Sequence, residues 1–413
     1  MSKIKTQSQI GWIHFSRDAL RKAEARLKEE QEGVRDEVGF LLLHQAYADR
    51  FFPGTSVLQT RLRYAFFVPW LYIDLMKSFK KGDFEQELSK KEVELTGRLM
   101  QKKNKGVIGE KIYPRPTVQP ASFIYWTALG TWSFLKKRPD GSLPSRSFIN
   151  HMFSSKMRTA HLFDDDGDPL DEQHRIFASI PAPPNEWNNH KAKLNFKLRK
   201  EEKDYIINNL IRLPSGSDSN HISLLARLVE NRINVARLTT PWKTAILNVA
   251  SKEDRQALIR AKSTAALAAI GRGVYAALVE SAMERDGLET NRFQRDALKG
   301  LINEHKYEAL KLDIKETLID IPKLRGKKII DVLKETQKWL KDGIKNPERL
   351  RICYEAAELA RKGPIRAKLP NSVHAKERRR EWSLNKDNKK KSEPLHYRWK
   401  HVRRLLMDLR GDA

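Results

Sequence analysis

Apolar positions return every three to four residues along most of the chain, and no run of alternating β-branched residues is long enough to predict a sheet. The pattern predicts an all-α protein. Residues 1–15 read as a lead-in anchored by Trp12 and Phe15, and Ser16 caps a helix over Arg17–Glu30 that Gly33 breaks. The next helix spans Val34–Phe51, with Val38, Leu41, Leu42, Gln45 and Ala46 on one face. Pro53-Gly54 is a turn signal, because proline presets its own φ and glycine tolerates a positive one. Thr55 or Ser56 can then cap a helix from about Val57, with Val57/Leu58, Leu62, Ala65/Phe66 and Val68 at helical spacing and Pro69 ending or kinking it. The charges of QELSKKEVELTGRLMQKK predict a solvated helix over Phe84–Lys103. A loop over 104–120 leads to Pro120, which opens a buried helix, Ala121–Leu135, and Ser145 caps a shorter one, Arg146–Ser155.

Residues 159–195 break the pattern, first with FDDDGDPLDEQH and then with the extended Ile180-Pro-Ala-Pro-Pro. Helical spacing resumes over Lys200–Leu213, His221–Asn231, 251–285, Phe293–Leu312, Leu324–Lys341 and Arg349–Lys362. Within 251–285 the small residues Ala261, Ala265, Ala268, Gly271 and Gly273 allow close helix packing. The division this predicts is an N-terminal helical domain (1–158), an acidic and proline-rich connector (159–195), a C-terminal helical domain (196–362) and a basic segment (363–413).

Charge changes the picture most. The 413 residues carry 79 Lys and Arg against 52 Asp and Glu, a formal charge of +27. That excess goes beyond what solubility needs and implies an anionic partner, with nucleic acid the expected one and DNA favoured over RNA. Residues 361–413 hold 17 Lys and Arg against six Asp and Glu. Their basic residues are interleaved with aromatics: Arg378, Arg379, Arg380 and Trp382, then Lys389, Lys390 and Lys391, then Arg398, Trp399, Lys400, Arg403 and Arg404. Cations neutralise phosphates and aromatic rings can stack on unpaired bases, so these twelve are the candidate nucleic-acid residues. The end of the segment has helical apolar spacing and reads as folded. A single cysteine, Cys353, rules out an intrachain disulfide framework, and no apolar run near the ~20 residues of a spanning helix stands out. A cytoplasmic protein without a membrane partner is expected.

The second candidate site lies in Phe51–Trp70, FFPGTSVLQTRLRYAFFVPW. A capped helix start offers unpaired N–H groups, and two arginines a turn on can grip an anion, so Gly54, Thr55, Ser56, Gln59, Arg61 and Arg63 form a candidate phosphate site. The alternative is that Arg61 and Arg63 pair with carboxylates such as Asp36, Glu37 or Asp49. A Walker loop is absent, and Gly271-Arg-Gly lacks the context of a dinucleotide fingerprint, so no cofactor is expected. Asp164, Asp165, Asp166 and Asp168 do not fit a calcium loop, and no metal site is expected. His44 beside leucines and Cys353 on an apolar stripe both read as core. No convergent catalytic set is visible.

The segments GWIHFS, EVGF at Glu37–Phe40 and FFPGTSVLQTRLRYAFFVPW resemble an uncharacterised bacterial family with an F-P-G-T-S, Q-T-R, R-Y, P-W signature. IYWTALGTW, IPAPPNEW and KLRKEEKDYIINNLI are also similar to it. The family has no known function and no assigned catalytic residues. The resemblance implies an accessory protein of bacterial defence loci that encode helicases and phospholipase-D-like nucleases. The sequence thus leads to a nucleic-acid-binding accessory subunit of an antiphage or DNA-processing complex, working mainly through phosphate contacts. The alternatives are a nuclease or other phosphate-processing enzyme that uses Arg61 and Arg63, and a scaffold that docks helicase and nuclease partners.

Overall fold

A computed structural model describes residues 37–79, 82–102, 104–154, 176–216, 218–384 and 392–412. The helix expected over Arg17–Glu30, the acidic run at 164–168 and the lysines 389–391 lie outside the described residues. Among the described residues there are helices and no strands, as the all-α reading requires; two isolated bridges join Leu135 to Phe177 and Pro214 to Ile222.

The helices are α1 (Phe40–Phe51), α2 (Tyr64–Ser78), α3 (Phe84–Met100), α4 (Ala121–Thr131), α5 (Arg146–Ser154), α6 (Lys200–Leu210), α7 (Leu224–Glu230), α8 (Thr244–Val249) and α9 (Lys252–Arg285). They continue as α10 (Phe293–Leu310), α11 (Ile314–Asp320), α12 (Lys328–Lys341), α13 (Arg351–Lys362), α14 (Val373–Leu384) and α15 (Trp399–Arg410). Residues 37–413 form one compact unit rather than two domains divided at the connector. The physical reason is that one ion pair spans the connector and the described part of it, 176–195, is tied to the helices before it. Arg63 pairs with Glu202, Trp70 Nε1 donates to the carbonyl of Pro181 at 2.9 Å, and Arg98 donates to carbonyls of residues 186, 187 and 192.

The 34-residue α9 is the central strut, about 50 Å long at 1.5 Å per residue. Ser251 caps it by accepting from the N–H of Asp254 at 3.1 Å. Its small residues do what the sequence predicts. A Cβ on Gly271 would come within 2.5 Å of the Phe40 ring, so α1 and α13 lie against backbone there. α10 folds back along α9, and Glu280 of α9 accepts from the N–H groups of Gln294 and Arg295 at 3.1 Å each, capping α10 from outside. α9 is also long and apolar enough to cross a membrane, contrary to the sequence expectation, but 83% of that window is buried within the protein.

A second core surrounds α2. Tyr64, Phe66, Phe67 and Trp70 meet Tyr125, Phe134, Trp187 and Phe196, with ring centroids 5.3–6.2 Å apart. Several helices differ from expectation: α3, expected to be solvated, buries one stripe, and α1 and α2 differ in face and in start. α1 buries Phe40, Leu43, His44, Tyr47, Ala48 and Phe51, because its aromatics define the inward stripe; Gln45 is exposed and Leu41 and Leu42 are half-buried. α2 starts at Tyr64, not Val57, and carries Pro69 inside it.

Candidate functional site

The loop 52–63 is not a capped helix start because other side chains claim its backbone N–H groups. Tyr125 Oη accepts from the N–H of Thr60 and of Arg61, at 3.1 Å each, and donates to the Arg61 carbonyl at 2.6 Å. Asp408 Oδ2 accepts from the N–H of Leu62 at 2.7 Å. Gln59, 1% exposed, ties the loop to itself, donating to the Gly54 carbonyl and accepting from the Ser56 N–H, both at 3.1 Å. Thr55 Oγ1 donates back to the Phe52 carbonyl at 2.6 Å instead of capping forward. Ser56 Oγ accepts from the N–H of Leu58 at 3.3 Å. Gly54 is required twice over: its φ is +77°, and a Cβ there would lie 2.6 Å from the indole nitrogen of Trp132, which donates to Pro53.

The two arginines are likewise engaged. Arg61 holds Asp408 with two nitrogens, at 3.1 and 2.7 Å, and lies 4.8 Å over the Phe196 ring. Arg63 is 4% exposed and holds Glu202 bidentately, both contacts at 2.9 Å, while a third nitrogen donates to the Asn195 carbonyl at 2.9 Å. The phosphate clamp of Gly54, Thr55, Ser56, Gln59, Arg61 and Arg63 is therefore not assembled. Carboxylate pairing is found, with partners other than those expected. Glu37 meets Lys362 and Lys368 instead, and Asp49 meets Arg398. Burial alone would raise the Glu37 carboxyl, but the two lysines hold it down at about 2.

The C-terminal candidates separate into inside and outside. Arg379 is 2% exposed, with Asp286 at 2.5 Å and the carbonyls of Lys368 and Pro370 on its guanidinium. Trp399 is 1% exposed, donates to the Leu238 carbonyl at 2.7 Å and packs 5.8 Å from Phe52. Both are buried within the protein. Arg398 is spent on Asp49 at 2.7 Å and the Thr55 carbonyl at 2.8 Å. Trp382 is half-buried, and Arg378 pairs with Glu381 on the surface of α14 at 2.7 Å. Arg380, Lys400 and Arg404 are exposed, and Arg403 is half-buried with the Leu238 carbonyl at 3.4 Å. The burial of Trp399 had a signal: it shares the stripe of Val402, Leu406 and Leu409 at helical spacing.

Sequence reasoning missed Glu92. It lines a small cleft of about 20 Å³, open to solvent, between α3 and the 108–121 segment, with Tyr64, Thr96, Tyr113 and Arg115 around it. Phe84, Leu88, Glu92, Leu95 and Leu99 form the buried stripe of α3, so its spacing marked it as inward. Glu92 accepts from the N–H of Ser122 at 2.8 Å. Burial pushes its carboxyl from 4.5 up to about 7, against that hydrogen bond and the field of Arg146. Ser122 also meets it through its side chain, and Tyr72 beside them lies in the field of the same Arg146. The folded carboxyl keeps its proton to about pH 7 while the unfolded one releases it near 4.5, so the folded state binds more protons in between. Stability therefore falls as pH rises through that window. Glu92→Gln should stabilise the protein by about 1–3 kcal/mol at pH 8 and by little at pH 4, measured by urea unfolding at both. An equal effect at both would show that the carboxyl is not perturbed.

Residues 7–160 match the model of a family of unknown function, DUF6361. Searches of curated proteins and of solved structures found no match. The segment similar to DUF6361 contains α1–α5 and the whole loop 52–63, so its signature residues coincide with the structural knot just described. It ends at the start of the connector and includes neither the segment after the connector nor α15.

Proposed function

We propose that the protein is a nucleic-acid-binding accessory subunit that grips the phosphate backbone through the outer face of α15. The observation that carries this reading is the division of that helix. Val402, Leu405, Leu406 and Leu409 are buried, while Lys400, Arg404 and Arg410 stay exposed on a chain with a formal charge of +27. Basic surface continues beside it, since the Arg410 guanidinium donates to the carbonyl of exposed Arg232 at 2.6 Å. Such a face reads charge rather than base sequence. The company of helicases and phospholipase-D-like nucleases that the family resemblance implies fits a subunit that holds DNA for another enzyme. A scaffold role is the second reading, favoured by Ile352, Val373 and Leu384, which stand 84%, 73% and 83% exposed on α13 and α14.

The test is fluorescence-anisotropy binding to single- and double-stranded DNA across a salt series. Binding should weaken with log salt at a slope of about −0.7 to −0.9 per phosphate contacted. Lys400→Glu/Arg404→Glu should weaken it at least about tenfold and flatten the slope by about two contacts. A flat salt response, or a folded double variant that binds like wild type, overturns the reading. No binding at moderate salt hands the lead to the scaffold.

A further inference from the structure

Three histidines from the two ends of the chain, His44 against His396 and His401, meet beside this face. The rings of His44, on α1, and His396, just before α15, lie edge to face with centroids 4.9 Å apart. His44 is 2% exposed, and its Nδ1 has no hydrogen-bond partner among the described residues. His401, in the first turn of α15, donates to the Gln59 carbonyl of the loop 52–63. The backbone that brings them together is strained: Tyr397 and Arg398 are successive non-glycine residues at φ +46° and +62°. It is held by Tyr397 Oη on the Ala261 carbonyl at 2.8 Å and by Arg398 on Asp49.

We infer that polyanion binding at this face is coupled to proton uptake by His396 and His401, so that it tightens as the pH falls. The inference rests on the nucleic-acid reading above.

The charges around the rings are mostly positive. His44 faces His396, His401, Arg398 and Arg272 of α9. His396 faces Arg272 and Lys400, with Glu393 opposing them. His401 faces His396, Lys400 and Arg404. Burial is the largest cause that lowers all three imidazoles, and these cations add to it. His401 falls to about 4 and His44 to about 3, so all are neutral at pH 7. A phosphate set between Lys400 and Arg404 cancels the repulsion that those cations supply. Proton affinity then rises at His401 and at the more exposed His396. His44, sealed inside, remains the neutral wall against which His396 rests. Since the bound state holds more protons than the free state, affinity must rise as pH falls.

The experiment is anisotropy titration with oligothymidylate at fixed ionic strength from about pH 7.5 to about pH 5.5, for wild type and His396→Gln/His401→Gln. Wild type should bind at least about tenfold tighter at the acid end, and the variant should lose most of that gain while matching wild type within about twofold at the neutral end. Calorimetry of wild type in buffers of different ionisation enthalpy gives the protons taken up without any substitution. About one proton near pH 6 is expected. Binding with no uptake, or a variant that keeps the full pH dependence, overturns the inference and leaves the nucleic-acid reading standing. Absence of binding at every pH overturns both.

Discussion

Arg63→Ala should destabilise the protein by about 3–5 kcal/mol, with Glu202→Ala costing a similar amount, because each leaves a buried charge without its counterpart. Arg63 reaches Glu202 with two nitrogens at 2.9 Å, at 4% exposure on one side and none on the other. Removing it also strips the donor from the Asn195 carbonyl and the cation 5.4 Å from the Phe67 ring. Glu202 has a second cation, Arg199 at 2.7 Å, which sets the lower end of the range. The double substitution should cost clearly less than the sum of the two singles, since it leaves no uncompensated charge, and a double-mutant cycle by urea unfolding reads that coupling directly. A single-variant cost below about 1 kcal/mol would mean that the guanidinium is solvated in solution and available to a ligand. DNA affinity measured on folded Arg63→Ala should match wild type, which separates a structural arginine from a phosphate clamp.

That arginine also shows why part of the site was hidden. Helices whose signals are local were legible: Ser145 does accept from the N–H of Phe148 at 3.0 Å, and Pro120 does open α4. The loop 52–63 was misread because its apolar spacing imitates a helix while its backbone donors are claimed from far away. Tyr125 lies 65 residues from Thr60, Glu202 139 from Arg63 and Asp408 347 from Arg61. No window of sequence contains those partners. A dense signature of glycine, glutamine and arginine looks alike whether it cradles an anion or ties four segments of the chain together, and only burial distinguishes the two. The histidine cluster was hidden for the same reason: His44 sits on the inward stripe of α1, and its neighbours arrive from the other end of the chain. The basic C-terminal segment was half legible. Its charge marked a surface, but interleaved aromatics were read as part of that surface when their spacing assigned them to the other side of the helix.

Trp399→Ala should therefore act on stability and not on recognition, with an expected cost of about 3–5 kcal/mol. The indole is 1% exposed, fills the space beside Phe52 and satisfies the Leu238 carbonyl at 2.7 Å, so its removal leaves both a cavity and an unpaired acceptor. Trp399→Phe keeps most of the volume and loses the hydrogen bond, and it should cost about half as much or less. Lys400→Ala and Arg404→Ala shorten exposed side chains and should stay within about 0.5 kcal/mol of wild type. The four variants form a crossed test on one helix: the tryptophan pair moves the unfolding midpoint and spares DNA affinity below it, while the cation pair weakens affinity and spares the midpoint. If folded Trp399→Phe lost DNA binding at unchanged stability, the ring would have to reach a base, and its place in the core would be wrong. The crossed outcome would instead mean that α15 has two separate duties, fixed by which side of a single amphipathic stripe each residue occupies.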